Sequence, residues 1–253
     1  MLEPDYPSLL ESEQPLSESH RQNLDHRGYT LFESLIDEEW LGDLRKTFDR
    51  LVAFEGESLA KEHHQEEGAL RIANLVNKGT VWEKVWCHPQ ILLAVHYVFE
   101  NEFKLSSLNG REALKGGGAQ PMHTDWKQAR KDFPKCHVVN ALWVLDDMDS
   151  SNGAPRVVPG SHLLKVAPSE RMEDASLPHP DEKVLSCKAG SVVVFNAHLW
   201  HGGTRNQTGD RRRVLHDFFT LRKDTQQQNQ KKWLTETTER RLTLPQKWLL
   251  DIC

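Results

Sequence analysis

The sequence predicts a mainly β fold, either a barrel or a double-sheet jelly roll, with helices on its N-terminal side. From Lys104 onward, short apolar and β-branched runs alternate with glycine, proline and aspartate. Short strands at such intervals are typical of closed or double-sheet β folds. The first hundred residues instead carry apolar positions at helical spacing. At 253 residues the chain has the length of one large all-β domain.

We therefore expect a single domain over residues 1–253. Its predicted parts are N-terminal helices over 17–100, a β core over 104–222 and a C-terminal tail over 223–253. Neither an internal repeat nor a linker divides the chain, which favours one continuous core.

The N-terminal part predicts helices that pack against a sheet. A short helix is expected to end at Gly28, with a strand after it over residues 29–32. Asp37 opens a second helix, whose apolar positions recur at helical spacing and form one buried stripe. Residues 80–100 predict a helix and then a second one that begins at Pro89.

Six runs in the β core have the composition of strands. Apolar, β-branched and aromatic residues predominate in them, and turn residues separate them. The runs cover residues 105–109, 121–126, 137–145, 156–159, 191–195 and 214–221.

Composition excludes several classes of protein. No apolar run approaches the roughly 18 residues that a membrane span requires. The net charge is −5 and acidic residues are mixed with basic ones, which argues against nucleic acid as a partner. The four cysteines show no CxxC spacing, so we expect reduced, structural thiols. The acidic, proline-bearing N-terminus lacks the features of a secretion signal, and we expect a cytoplasmic protein.

Two histidines and one aspartate are candidate metal ligands. His123 and Asp125 flank a threonine, and on a strand both would project to the same face and bind one ion together. His201 precedes Gly202 and Gly203, at an expected strand end that faces the mouth of the barrel. Such a triad leaves one face of an octahedral Fe(II) open, unlike the closed four-ligand sites of structural zinc. The pattern indicates a non-haem iron site.

An arginine run follows the distal histidine. Arg211, Arg212 and Arg213 are predicted to lie on or near the strand that returns beside the His201 strand. Because side chains alternate along a strand, only the middle arginine can point to a face that the other two do not share. A guanidinium near the ion is suited to bind a distal carboxylate through two parallel hydrogen bonds.

Between Leu105 and Leu221 the sequence resembles the phytanoyl-CoA dioxygenase family of Fe(II)- and 2-oxoglutarate-dependent oxygenases. As in that family, a glutamine lies three positions before the His-x-Asp motif, and a Val-Pro-Gly-Ser-His segment follows, here residues 158–162. The distal histidine and its arginine, His201 and Arg212, are eleven positions apart, which matches the family interval. The resemblance implies a double-stranded β-helix, a cupin-like jelly roll, flanked by helices.

The resemblance also implies the ligands of the site. His123, Asp125 and His201 would bind Fe(II), and Arg212 would bind the far carboxylate of 2-oxoglutarate. O2 would be the second co-substrate, and ascorbate would stimulate turnover. Further contacts with 2-oxoglutarate are expected from Gln120 and Asn140, although both residues are equally suited to satisfy backbone groups inside the barrel. They are also expected from Thr204, because Gly203 stands where the family often has a serine.

The retained aspartate favours a hydroxylation or another oxidation, because related halogenases have a small residue at the position of Asp125. Trp126 and Arg71 are candidate substrate contacts: the first follows the metal motif, and the second could meet an anionic group. A core position for the tryptophan and a surface ion pair for the arginine are the alternatives. Without a run of basic residues to hold coenzyme A, the expected substrate is a small organic metabolite.

The other histidines are weaker candidates for metal ligands. His198 lies three residues before His201 without adjacent glycines and is the weaker candidate. His162 is expected to bind backbone groups in a turn. His63 and His64 lie in a charged loop or lid and are expected to be solvated. No role is assigned to His216.

Two alternative functions remain open from the sequence. The first is a jelly-roll metalloprotein of non-oxygenase type, such as a metal-dependent isomerase or hydrolase, which would have no need for Arg212. The second is a 2-oxoglutarate-binding sensor without turnover, against which the intact ligand set argues. The apolar residues of the C-terminal tail would either fold back over the barrel or contact another subunit. A monomer with a docked tail is preferred, and a homodimer is the alternative.

Overall fold

The computed structural model describes residues 6–12, 14–59, 65–126 and 136–253. Within these ranges the chain forms two antiparallel sheets flanked by helices. The large sheet has six strands in the order β1-β7-β4-β9-β3-β2, and the small sheet has three in the order β6-β5-β8. This arrangement confirms the predicted jelly roll with flanking helices.

The strand bounds differ from the predicted runs by a few residues. The strands are β1 (Tyr29–Phe32), β2 (Ala69–Ile72), β3 (Phe103–Ala113), β4 (Val138–Val144), β5 (Pro155–Val158), β6 (Lys183–Val184), β7 (Val192–Asn196), β8 (Trp200–Gly203) and β9 (Arg213–Leu221). The longest pairing joins β3 and β9 and is interrupted by one irregularity between Leu105 and Ser107.

The helices begin at the predicted capping residues. Ser17 and Asp37 cap the first two helices through their side chains, and Pro89 occupies the first turn of the fourth. The helices are α1 (Glu18–Arg27), α2 (Glu38–Glu55), α3 (Glu83–Trp86), α4 (Pro89–Phe99), α5 (Gln230–Trp233), α6 (Glu236–Arg241) and α7 (Leu244–Leu249). The stretch predicted as one helix before Pro89 is a 3-10 turn (Thr80–Trp82) followed by α3. No helix in the described ranges is long and apolar enough to cross a membrane.

The two faces of the large sheet have different roles. On β9, Leu215 and Phe219 are buried in the core against the helices, whereas His216 and Phe218 border a cavity between the sheets. This alternation is the period of two expected of a strand. At the C-terminus, Leu249 and Leu250 join the helix-side core, so the tail folds back on its own chain. The oligomeric state stays a prediction.

Two local predictions were wrong. Residues 121–126 do not form a strand, since only one bridge, between His123 and His201, forms there. Asp125 N donates instead to Ala197 O at 3.0 Å, which takes the chain out of any ladder. In addition, β9 does not return beside β8, which pairs with β5, while β9 pairs with β3 and β4. The distal histidine and the arginine run therefore belong to different sheets.

Candidate metal centre and cavity

A cavity of about 350 Å³ lies between the two sheets. Its metal side is formed by β8 and by the irregular segment around His123, and its other wall is formed by the inner faces of β3, β4 and β9. The glycines of β8 permit the segment before His123 to approach β8 closely. A Cβ on Gly203 would lie 2.2 Å from Gly118 O, and one on Gly202 would lie 2.7 Å from Gln120 O. Any larger residue would push the segment before His123 away from β8.

His123, Asp125 and His201 converge at one end of this cavity. Each offers a ligand atom, and these atoms lie within 4.8 Å of one another. Asp125 Oδ1 is 3.5 Å from His201 Nε2 and 3.8 Å from His123 Nε2. The single bridge between the two histidines holds their backbones together, so the three groups meet although residues 121–126 are not a strand.

Backbone carbonyls fix the orientation of both imidazole rings. His123 Nδ1 lies 2.8 Å from Pro121 O, and His201 Nδ1 lies 2.9 Å from Leu199 O. Because a carbonyl can only accept, each Nδ1 donates its proton to the backbone, and each Nε2 is the ring nitrogen on the side of Asp125. A second hydrogen bond of this kind is typical of metal-binding histidines. The donor set, two imidazole nitrogens and a carboxylate, suits Fe(II).

The charge state of Asp125 also suits a cation. Burial by itself would raise the pKa of this carboxyl, but the adjacent imidazoles of His201 and His123 hold it well below its usual range. Asn140 Nδ2 lies 3.4 Å from Asp125 Oδ2 and donates to it. Asp125 is therefore ionised, and Asn140 orients its Oδ2.

Arg212 lies directly before β9, with its side chain buried at the cavity wall. Its Nε and Nη1 have no hydrogen-bond partner among the described residues. Burial, followed by the charge of Arg111, lowers the pKa of Arg212 to about 9. A buried guanidinium without a partner is unfavourable in free energy, so an anionic ligand would stabilise this group. Its neighbours Arg211 and Arg213 point elsewhere and bind Asp49, Glu112 and Asp146.

Gln120 and Asn140 also border the cavity. Gln120 Nε2 donates to Glu66 Oε1 at 3.2 Å. Asn140 Oδ1 is buried without a partner in the described part of the chain, so it can accept a hydrogen bond from a ligand. Both residues are thus placed where the resemblance puts them, and their roles stay predictions.

Thr204 and Trp126 are placed away from the cavity lining. The Thr204 hydroxyl donates to Ala154 O at 2.7 Å, so it is not turned toward a co-substrate. Trp126 stacks on His137, with ring centroids 4.5 Å apart. His198 is buried beside the same ring, 6.3 Å from its centroid, and does not border the cavity. The placement of Trp126 fits its structural alternative, and the roles predicted for Thr204 and Trp126 stay predictions.

Three charged or titratable residues of the site have no assigned role from the sequence. Arg111 and Glu66 join Arg71 in an ion-pair cluster at the cavity wall. His216 borders the cavity with its Nε2 unpartnered among the described residues, and burial followed by the surrounding arginines lowers its pKa well below its usual range. Alternation along β9 from Arg212 would have indicated His216. No sequence signal indicates Glu66, which lies in a charged loop.

Two solved structures illustrate the similarity of fold. HygX from Streptomyces hygroscopicus, solved with nickel and 2-oxoglutarate, aligns with a TM-score of 0.69 at 19% identity, over 84% of this chain and 90% of HygX. SnoK, a non-heme alpha-ketoglutarate-dependent carbocyclase from nogalamycin biosynthesis, aligns with a TM-score of 0.66 at 18% identity, over 81% and 84%. At these identities the likeness establishes the fold.

Curated sequences include relatives at the level of 26–31% identity. Rv1501, an uncharacterised protein of Mycobacterium tuberculosis, is 27% identical over 206 residues, covering 76% of this chain and 71% of its own. The dioxygenase olcK of Penicillium canescens is 31% identical over 144 residues, covering 53% and 45%.

The model of the family described as phytanoyl-CoA dioxygenase (PhyH) matches residues 24–214, which include the three candidate ligands and Arg212. This range is well over half of the 253 residues. The chain therefore belongs to the phytanoyl-CoA dioxygenase family of Fe(II)- and 2-oxoglutarate-dependent oxygenases.

Proposed function

We propose that the protein is an Fe(II)- and 2-oxoglutarate-dependent dioxygenase that hydroxylates or otherwise oxidises a small organic metabolite, with release of succinate and CO2. The observation that carries this proposal is the pairing of two features in one cavity. A triad of His123, Asp125 and His201 meets the requirements of a metal, and the buried guanidinium of Arg212 lacks a partner in the described ranges.

The residues present fit both expected cofactors. The two Nε2 atoms and the Asp125 carboxylate would hold Fe(II), and Arg212 would hold the distal carboxylate of 2-oxoglutarate. Gln120 and the orphaned Asn140 Oδ1 offer further polar contacts at the same wall. When bound, iron and 2-oxoglutarate supply the activation of O2 for an oxidation that the side chains of the protein cannot perform themselves.

The chain's own residues position the reactants and exclude water. Two backbone carbonyls lock the histidine rings, and Asn140 fixes the carboxylate, so the ligand atoms are held before the metal arrives. Phe195 packs edge-on against the His201 ring, with centroids 5.1 Å apart. Together with Leu142 and Val157 it gives the cavity an apolar lining that limits access of water.

Asp125 restricts the type of reaction, and the volume of the cavity restricts the size of the substrate. With a carboxylate in the triad, no ligand position is vacated for a halide, which favours hydroxylation or a related oxidation over halogenation. A cavity of about 350 Å³ lies at the small end of ligand pockets, which fits a small metabolite better than an acyl-CoA. Among the described residues, Trp126 is not part of the cavity lining, and its substrate role stays a prediction.

The non-oxygenase alternative is less well supported. A metal-dependent isomerase or hydrolase could use the same triad, but nothing in such chemistry explains a buried arginine turned into the cavity without a partner among the described residues. A sensor without turnover would keep both features, and only an activity measurement separates it from the enzyme.

The test is succinate formation by anaerobically prepared protein given Fe(II), 2-oxoglutarate, ascorbate and then air. The visible charge-transfer band of the Fe(II)–2-oxoglutarate complex is recorded first. We expect the band and succinate with the wild type and with Arg211→Ala, whose guanidinium points away from the cavity, and neither with His123→Ala. Absence of the band in the wild type would overturn the proposal. The band without succinate across a metabolite screen would favour the sensor.

A further inference from the structure

The arginine of β2 lies in the same cavity as the candidate metal centre but at a different wall. Arg71 pairs in register with Arg111 of β3, and both border the cavity. β2 is an edge strand of the large sheet. The side chain of Arg71 is 15% exposed, whereas that of Arg111 is 3% exposed. Arg71 therefore lies nearer to the opening of the cavity than Arg111 and the buried Arg212.

Glu66 is the carboxylate that these two arginines share, and its oxygens are fully used. Oε1 accepts from Arg111 Nη2 at 2.6 Å and from Gln120 Nε2 at 3.2 Å. Oε2 accepts from Arg71 Nε at 2.7 Å and from Arg111 Nε at 3.0 Å, and it also lies 2.6 Å from Arg71 Nη2. A carboxylate has about four lone-pair positions, so Glu66 cannot satisfy more donors.

The guanidinium groups of Arg111 and Arg71 differ in the donors that remain after their hydrogen bonds to Glu66. Arg111 makes an additional hydrogen bond to Gly118 O at 3.3 Å, so its donors are directed into the protein. All the polar contacts of Arg71 within the described ranges go to Glu66, through Nε and Nη2. The Nη1 donors of Arg71 are therefore available to a ligand.

Among the described residues, the charges around the cavity do not balance. Arg71, Arg111 and Arg212 carry three positive charges, and Glu66 and Asp125 carry two negative ones. The neighbouring His216 adds none, because burial and the arginines keep it neutral. Fe(II) and the 2-oxoglutarate dianion would cancel each other, so the loaded cavity keeps one excess positive charge. An unpaired charge in a poorly solvated site is unfavourable.

We infer that the substrate of this oxygenase is a small monoanion, of carboxylate class, whose negative group binds the free edge of Arg71. This inference rests on the proposed function and adds the class of substrate to it. In this assignment the buried Arg212 binds the co-substrate, and the more exposed Arg71 binds the substrate, which enters afterwards. Arg111 keeps Glu66 and Arg71 in place.

The experiment compares matched acids and amides. The probes are hexanoate with hexanamide, 3-phenylpropanoate with 3-phenylpropanamide, and indole-3-acetate with its amide. Each is titrated by calorimetry into anaerobic protein saturated with Fe(II) and 2-oxoglutarate, and the charge-transfer band is recorded before and after. We expect acids to bind about tenfold more tightly than their amides or better, as a charge-assisted hydrogen bond predicts. The band should persist, which shows that 2-oxoglutarate has not been displaced.

Two variants of Arg71 and one control test whether Arg71 causes the preference for acids over amides. Arg71→Gln should form the band but bind acids and amides alike, whereas Arg71→Lys should retain a reduced preference for acids because it keeps the charge. Arg240→Gln, an exposed arginine of α6, is the control and should behave as the wild type.

Equal binding of acids and amides by the wild type would overturn the inference, as would binding of none of the acids by protein that shows the band. An unchanged preference in Arg71→Gln would also overturn it. Loss of the band in Arg71→Gln would mean that this arginine holds 2-oxoglutarate instead. Failure of the band in the wild type would instead be a failure of the proposed function, so the two outcomes are distinguishable.

Discussion

The two sides of the cavity are built in different ways. On the metal side, His123 and Asp125 are two residues apart in an irregular segment, and one bridge to His201 completes the triad. On the arginine side, Arg71, Arg111 and Arg212 come from β2, from β3 and from the residue before β9, and strand register brings them together. A short motif and one residue of the small sheet form the first side, whereas the topology of the large sheet forms the second. Substitutions should therefore have local effects on one side and cooperative effects on the other.

The largest effect is expected from removing a metal ligand. In His123→Ala only two ligands remain for Fe(II), and turnover of 2-oxoglutarate should fall by more than about 100-fold, since even outer partners of metal ligands are worth about 10–100-fold. Anaerobic Fe(II) binding and succinate formation are the measurements. His26→Ala, an exposed histidine of α1, is the matched control. Because the metal side is local, the thermal stability of the metal-free protein should change little, and a large loss would contradict that description.

A smaller effect is expected on the arginine side. In Arg212→Ala the distal carboxylate of 2-oxoglutarate loses its charged partner, so its KM should rise by about 10–100-fold, as expected for a bidentate charge-assisted contact. Fe(II) binding should be retained, which separates the two walls. Arg211→Ala, which removes a partly exposed guanidinium paired with Glu112 and Asp49, should leave the KM unchanged. An unchanged KM in Arg212→Ala would show that another group binds the co-substrate.

The same contrast explains what the sequence could and could not predict. His123 and Asp125 follow from residue type and short spacing, and His201 follows from its glycines at an expected strand end. Within the arginine run, the interval of the resembled family selects Arg212. His216 lies on the same face of β9, two alternations further on, and the alternation of side chains along the strand would have found it. The role of Glu66 could not be predicted in this way, because this loop glutamate contacts Arg111 only when β2 is paired with β3.

The fold was predictable to a similar degree. Turn residues and β-branched runs predicted most of the strands, and capping residues predicted the helix starts. The segment 121–126 was predicted to be a strand, but its backbone groups bond to Ala197 and His201 instead of to a ladder. Likewise, the strand that begins at Val192 was expected to end at His201, but Asn196 begins a turn, closed by Leu199 N, that separates β7 from β8.

A third prediction concerns the departure of Gly203 from the family pattern. The family often has a serine there, but a Cβ at this position would collide with the backbone at Gly118. Gly203→Ser should therefore destabilise the protein by about 1–3 kcal/mol, the usual cost of overpacking, and should not improve 2-oxoglutarate binding. Thermal unfolding with and without 2-oxoglutarate measures both effects. Gly42→Ser in α2, where a Cβ meets nothing within 4 Å, is the control. Tighter co-substrate binding without loss of stability would show that the close approach is not required.

The smallest effect is expected on the helix side of β9, which takes no part in the cavity. Asp217 is fully buried, and neither of its carboxyl oxygens has a hydrogen-bond partner among the described residues. Burial raises the pKa of Asp217 well above its usual range. A raised folded pKa means that the folded state favours the protonated acid. The unfolded chain loses this proton near pH 4, so stability declines as the pH rises from there toward the folded pKa.

Asp217→Asn replaces the titrating acid by a neutral group of the same size. At pH 7 the variant should unfold about 2–4 °C higher than the wild type, the shift that about 1 kcal/mol produces in a chain of this length. Below pH 4 the difference should vanish, because the wild-type carboxyl is then neutral in both states. Thermal unfolding between pH 3.5 and pH 8 checks both the size and the sign. A wild type that gains stability relative to Asp217→Asn as the pH rises would show that the carboxylate is ionised and paired in the fold. Unchanged Fe(II) and 2-oxoglutarate binding in the variant would show that the two faces of β9 are independent, since the cavity and the helix-side core share its backbone but no side chain.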